Sequence, residues 1–230
     1  MGRRLAPYLL LAPGGLWLLV FFLVPVAFMA SMSLQTGNII DGFRQTFRFA
    51  NFSDAVVQYH VQFLRSLRYA SIATVVTLVV SYPLAYWIAF RGGRHKTTYL
   101  FLLLLPFFVS FVIRTLAWRW ILADEGIVLG TLKSWHVLPQ AFYVLATPAA
   151  VISGIAYNFL PFMALPLYVS LERIDRSLVE AAGDLYASRL QVFRRVILPL
   201  SIPGVFAGVL LTFVPAMGDY VNADILGGVG

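Results

Sequence analysis

Long apolar runs separated by short charged segments organise the chain. No Asp, Glu, Lys or Arg occurs between Leu5 and Ile40, Tyr69 and Phe90, Thr97 and Ile113, Val137 and Leu171, or Val196 and Gly218. A helix rises about 1.5 Å per residue, so about 20 residues cross a hydrocarbon layer about 30 Å thick. The pattern predicts an all-α chain with five transmembrane helices, at roughly 8–32, 68–90, 97–114, 146–171 and 200–219. The third is the shortest, and fits by recruiting flanking residues or by snorkelling of Arg114. The first run is about twice the length of a signal-peptide apolar region, and Phe28 spoils the small-x-small site before Ala30, so it reads as an uncleaved helix.

Composition places the chain in the same class. Hydrophobic residues make up 60%, charged residues only 12%, and the mean hydropathy is +0.82. A soluble domain carries about a quarter charged residues, which argues against a soluble enzyme. The net charge of +7 would suggest nucleic acid in a soluble protein, but no basic stripe with interleaved aromatics is present. In a membrane protein the excess marks the cytoplasmic side. With the N-terminus inside, the short inner segments hold Arg3, Arg4, Arg91, Arg94, Lys96, Arg173, Arg176, Arg189, Arg194 and Arg195. The longer outer segments hold Arg44, Arg48, Arg65, Arg68, Arg114, Arg119 and Lys133. The cytoplasmic N-terminus is therefore the expected orientation.

Catalytic chemistry finds little support. There is no cysteine, and His60, His95 and His136 stand isolated, without metal-ligand spacing. No nucleophile elbow, P-loop or dinucleotide fingerprint occurs, and Gly227-Gly228 reads as a turn. No catalytic residue, metal site or cofactor is expected; any ATP and magnesium must be bound by another subunit. Prolines 25, 83, 106, 161, 166, 203 and 215 fall within the predicted spans. They suit helices that line a cavity, and equally the ordinary kinks of a membrane bundle.

The segment from Leu171 to Pro199 is the most informative. Leu178, Ala181, Ala182 and Leu185 recur with helical spacing, and a second short helix is expected over 188–196, with Leu190, Phe193 and Val196 on one side. Two amphipathic helices between spans offer a knob for a partner's groove. Glu180-Ala181-Ala182, followed at the family spacing by Val196, Leu198 and Pro199, resembles the EAA loop of binding-protein-dependent ABC importer permeases. The resemblance implies a type I ABC importer permease bundle whose loop docks on an ATPase subunit through Glu180, Ala181, Ala182, Asp184 and Leu185. Val196 conservatively replaces the pattern's Ile. Tyr186 stands where the pattern has Gly, a residue that tolerates positive φ. Either the turn is built differently here, or coupling is impaired.

A narrower resemblance is to the first permease of spermidine/putrescine importers. It rests on Pro106–Ser110, Ile113–Trp118, Asp124-Glu125-Gly126, Leu160–Met163, Pro215–Tyr220 and Asp224–Gly228. It implies an ATPase dimer, a second permease subunit, an extracytoplasmic substrate-binding protein and membrane lipid as partners, in a prokaryotic cytoplasmic or inner membrane. The expected organisation is an N-terminal helix and extracytoplasmic loop at 1–66, then a permease core at 67–230 containing the cytoplasmic coupling loop 172–199. Against the family pattern the chain reads as C-terminally truncated, with the last helix missing. The alternatives are a non-transporting protein of the same fold, or a permease for another solute such as iron or sulfate.

Ammonium groups call for carboxylates and aromatic faces. Asp219, Tyr220, Asp124, Glu125 and Trp118 are the pathway candidates, although loop solvation explains Asp124 and Glu125 as well. Trp118, Trp120, Trp135 and Tyr143 also read as an interfacial belt. Arg114 and Arg119 oppose a path for cations unless acids neutralise them.

Overall fold

A computed structural model describes residues 2–38, 40 and 42–227. Gly228, and the side chains of Arg3 and Arg4, lie outside the described residues. The chain forms two compact units, and the division falls between Phe63 and Leu64.

In the first unit, α1 (Gly2–Leu18) runs through a π turn (Leu19–Leu23) into α2 (Val24–Ser33). The π turn has a local cause. Pro25 has no N–H, and its ring would collide with the carbonyl four residues back. Widening the preceding turn relieves the collision, and the Val24 N–H reaches back to the Leu19 carbonyl. A two-stranded antiparallel hairpin follows, β1 (Gln35–Asn38) and β2 (Gly42–Gln45), with Gln35 opposite Gln45. This hairpin departs from a reading with helices alone. Gly42 adopts φ +80°, a backbone position suited to glycine. Asn51 ties the hairpin's base by donating to the Ser33 and Gln35 carbonyls at 3.0 and 2.9 Å.

The helix α3 (Ala50–Arg91) starts well before the predicted span. In the second unit it buries small and hydroxyl side chains: Ala70, Ala73, Thr74, Thr77, Ser81, Ala85 and Ala89. The Thr74 and Thr77 hydroxyls donate to carbonyls four residues back at 2.7 Å, so neither polar group is stranded in an apolar setting.

The third predicted span is not one straight helix. A 3₁₀ turn (Gly93–His95), α4 (Lys96–Leu104) and a second 3₁₀ turn (Leu105–Phe108) lead to an extended Val109. Beyond it come α5 (Phe111–Leu122) and α6 (Ile127–Ser134), and the two helical stretches meet at 91°. Pro106 tightens the end of the first stretch, and the extended Val109 and Ser110 turn the chain. Arg114 therefore lies beyond the bend and does not snorkel from the end of a straight span. It is buried, with its guanidinium 4.0 Å from the Phe107 ring centroid.

The long helices α7 (Pro148–Glu172) and α10 (Leu198–Met217) form the centre of this unit. Their approach depends on two glycines. A Cβ at Gly204 would collide with the Ser170 side chain and the Pro166 carbonyl, and one at Gly208 would press on Met163. Between the two helices' loop-side ends lie α8 (Arg176–Asp184), α9 (Arg189–Val192) and a π turn (Phe193–Ile197). The predicted helix at 188–196 is thus not separate; it runs on into α10. The short α11 (Tyr220–Gly227) follows, so Gly227 ends a helix.

Two apolar cores result. One joins Ala70, Ala73, Val151, Ile155, Phe159 and Leu226. The other joins Ala85, Met163, Leu167, Leu171, Val192 and Ile197 beside the α8–α9 loop. Among the described residues, four helices are long and apolar enough to cross a bilayer; the bent pair makes a fifth if counted as one span. The predicted set is recovered, with later boundaries for the fourth and earlier starts for the second and fifth.

Gly204→Val should lower stability by about 2 kcal/mol through overpacking. Thermal unfolding in detergent would measure it; an unchanged midpoint would show that α7 and α10 can separate freely at this level.

Candidate functional site: the loop between α7 and α10

The loop is held at its entry by three devices. The Lys96 ammonium donates to both Glu172 carboxylate oxygens at 2.8 Å, which links the start of α4 to the end of α7. Ile174 is buried below the loop. Asp175 then caps α8 by accepting from the Ser177 backbone N–H at 2.9 Å. That hydrogen bond holds the Asp175 carboxyl below its ordinary range.

At the far end of α8, the Tyr186 N–H donates to the Gly183 carbonyl at 2.9 Å and the Ala187 N–H to the Ala182 carbonyl at 3.1 Å. These are the paired bonds of a Schellman closure, which requires a left-handed residue between them. Tyr186 is that residue, with φ +57°. The turn expected of a glycine is therefore kept by a tyrosine, not rebuilt. For a non-glycine residue this conformation costs about 1–2 kcal/mol. Ala182 and Ala187 pack together with Val179 against the apolar core beneath.

Ser188 opens α9 with a capping box: its side chain accepts from the Gln191 N–H at 3.4 Å, and the Gln191 side chain accepts from the Ser188 N–H at 2.8 Å. Leu198-Pro199 then repeats the device seen at Pro25. The Leu198 N–H reaches the Phe193 carbonyl, five residues back, across the π turn. The extra residue turns Phe193 toward α3, where its ring meets Tyr82 and Tyr86 edge-on at 5.7 and 6.1 Å. Tyr82 is tied to α10 by a 2.8 Å hydrogen bond with Ser201.

Four of the five predicted docking residues, Glu180, Ala181, Asp184 and Leu185, are exposed and fall on the outward side, whereas Ala182 does not. Ala182 and Val196 are half-buried, and Leu198 and Pro199 begin α10. The apolar stripe of α8, expected to offer a knob for a partner's groove, splits between two sides. Val179 and Ala182 turn to the core, whereas Leu178 and Leu185 (82% exposed) face away. Likewise Val192 and Ile197 are buried, and Leu190 is exposed. One short helix and its C-terminal turn thus expose two leucines and two carboxylates.

The pathway candidates do not converge. Asp219 caps α11, accepting from the Asn222 backbone N–H at 3.1 Å and from the Asn222 side chain. Tyr220 is exposed. Asp124 pairs with Lys133 at 3.3 Å, and Glu125 is exposed. No hydrogen bond or ion pair among the described residues joins these acids to one another or to Arg114. Trp118 is set apart from the exposed Trp120, Trp135 and Tyr143: it stacks on Tyr157 with ring centroids 5.2 Å apart and donates to Ser153 at 3.2 Å.

A buried polar cluster was not foreseen. The Asn158 amide donates to Thr115 at 3.0 Å and to the Asn222 side chain at 3.2 Å, knitting α5, α7 and α11. An asparagine alone in an apolar span was the available signal, because such a group must find partners inside the protein. No group of three or more His, Asp or Glu side chains suited to a metal occurs among the described residues.

Residues 81–230 match the family described as the binding-protein-dependent transport system inner membrane component. The chain is 37% identical over 213 residues to the spermidine/putrescine transport system permease protein PotB of Escherichia coli (strain K12), covering 92% of this chain and 78% of that protein. PotB of Haemophilus influenzae is likewise 37% identical, over 92% of this chain and 74% of its own length. A chain from the crystal structure of a bacterial ABC transporter involved in import of the acidic polysaccharide alginate has the same fold. It superposes with a TM-score of 0.68 at 20% identity, over 98% of this chain and 78% of that one.

The Asp175 cap carries a pH signature. Because folding lowers its pKa, the cap is fully formed above the ordinary carboxylate range and is lost as pH falls through the lowered value. Asp175→Ala should therefore speed hydrogen exchange in the first turn of α8 at neutral pH, and the difference should vanish in strong acid. Equal exchange at neutral pH would remove the cap assignment.

Proposed function

Because the chain belongs to the binding-protein-dependent transport system inner membrane component family, we propose that it is the multi-pass permease subunit of an ATP-driven importer of polyamines. It is a transport subunit, not an enzyme. The observation that carries the solute is the similarity along 92% of the chain to spermidine/putrescine permeases. The observation that carries coupling is the exposed face of α8, with Glu180 and Asp184 beside Leu178 and Leu185.

In this reading the N-terminus and the α7–α10 loop are cytoplasmic, and the β1–β2 hairpin is outside. An ATPase dimer, which binds ATP and magnesium, receives α8 in a groove. A second permease subunit completes the pathway, and an extracytoplasmic binding protein delivers the solute. Closure of the ATPases drags α8. The Lys96–Glu172 pair and the Phe193 ring carry that displacement into α4, α7 and α3. The permease pair then alternates between inward and outward openings. The polyamine's ammonium groups need carboxylates and aromatic faces on the way. Asp219 keeps acceptor capacity beyond its two cap bonds, and the exposed Tyr220 stands beside it. Trp118, Asp124 and Glu125 complete the proposed set.

The test is ATP- and binding-protein-dependent uptake of labelled spermidine by the complete transporter in vesicles. Saturable accumulation is expected. Uptake of sulfate or iron in place of spermidine would reassign the solute, and no uptake of any would overturn the transporter reading. Glu180→Lys should abolish coupled uptake while the protein still inserts in the membrane; normal uptake by that variant would remove Glu180 from the docking face.

A further inference from the structure

Tyr186 joins a backbone conformation that the turn requires to a side chain that the turn does not require. Its backbone sits at φ +57°, where a glycine would be unstrained. Its side chain is 98% exposed, and no ring contact or side-chain hydrogen bond engages it among the described residues. It stands at the turn between α8 and α9, next to Leu185, which is 82% exposed. The permease thus accepts a strained backbone for a ring that touches nothing of its own. Strain held at an exposed, protruding residue points to a role outside the folded chain.

We propose that Tyr186 is an aromatic anchor that inserts into a pocket of the ATPase subunit and makes the pairing selective for an ATPase possessing that pocket. This rests on the reading that the loop docks on the ATPase. A tyrosine suits an anchor because it brings a large rigid surface with few torsions and a hydroxyl for one hydrogen bond. The rigid base is on the permease side: the paired backbone bonds at Tyr186 and Ala187, and the Ser188–Gln191 capping box, fix the turn before binding. Little conformational freedom is then lost on docking. The complementary pocket is apolar-walled with a hydrogen-bond acceptor for the phenol. Its rim is basic, because Glu180 and Asp184 are exposed on the adjoining helix. An ATPase shaped for a glycine at this point has no space for the ring and is rejected sterically.

The anchor predicts opposite signs for stability and binding, which separates it from a merely structural tyrosine. The complete transporter is isolated from its native membrane in detergent through a tag on this chain. The retained ATPase subunit is identified by its mass and by ATP hydrolysis, and its dissociation is followed on dilution. Tyr186→Gly should raise the unfolding temperature of the permease yet weaken ATPase retention by about tenfold or more. Tyr186→Phe, which keeps the ring, should restore retention to within a few-fold. If Tyr186→Gly retains the ATPase as the parent does while Glu180→Lys loses coupling, the anchor is wrong and the docking loop stands. If Glu180→Lys also keeps normal coupled uptake, the docking reading itself falls and the anchor with it. A lower unfolding temperature for Tyr186→Gly would show that the turn is not strained by tyrosine and would overturn the argument at its start.

Discussion

Close contact between α7 and α10 is the constraint on which the functional architecture rests. Both helices are largely apolar, and within a membrane apolar character alone does not favour one neighbour over another. Association then depends on how closely backbones can approach and how well side chains interlock. Gly204 and Gly208 provide that approach, against Ser170, Pro166 and Met163. With the two helices side by side, the chain that leaves α7 at Glu172 must return to α10 at Leu198 over a short span. The residues between them form a compact projection with fixed ends. The α7–α10 loop is thus presented by packing inside the bundle, away from its tip.

Proline shapes the rest of the device. At Pro25 and Pro199 the missing donor and the ring are accommodated by a π turn ending two residues earlier. At Pro199 this geometry aims Phe193 at Tyr82 and Tyr86, so a backbone irregularity becomes a link between the loop and α3. At Pro106 the outcome is different, because Val109 and Ser110 leave the helix altogether and the chain turns by 91°. One residue type yields a register shift in one place and a broken helix in another. The difference lies in whether the following residues continue the helix.

The apolar runs made the spans legible because hydrocarbon demands uninterrupted apolar length. They carried no information on straightness, so the bend at Val109–Ser110 was hidden inside a single charge-free run. The hairpin at 35–45 was obscured in the same way, since β1 lies at the polar end of the first charge-free run and β2 in the charged segment that follows it. The loop was legible in finer detail. The resemblance to the EAA pattern marked 186 as a glycine position and left open whether the turn is built differently with a tyrosine; the backbone there is left-handed. Helical periodicity identified the apolar stripe of α8 without telling which side it faced; burial shows Val179 and Ala182 inward and the leucines outward. Asp219 is the clearest mixed case. A carboxylate ending an apolar span is costly, and capping of α11 meets much of that cost locally.

The proposed coupling requires the outward face of α8 to meet the ATPase from the cytoplasmic side. The protein has no cysteine, so Ala181→Cys introduces a single thiol in the middle of that face. In the complete transporter, oxidative cross-linking from this position to cysteines placed in turn along the ATPase surface tests the contact directly. The account predicts a disulfide with one patch of the ATPase, and protection of the thiol from cytoplasmic maleimide when the ATPase is present. A thiol that reacts only from the outside, or that forms no cross-link and stays equally reactive with and without the ATPase, would contradict it.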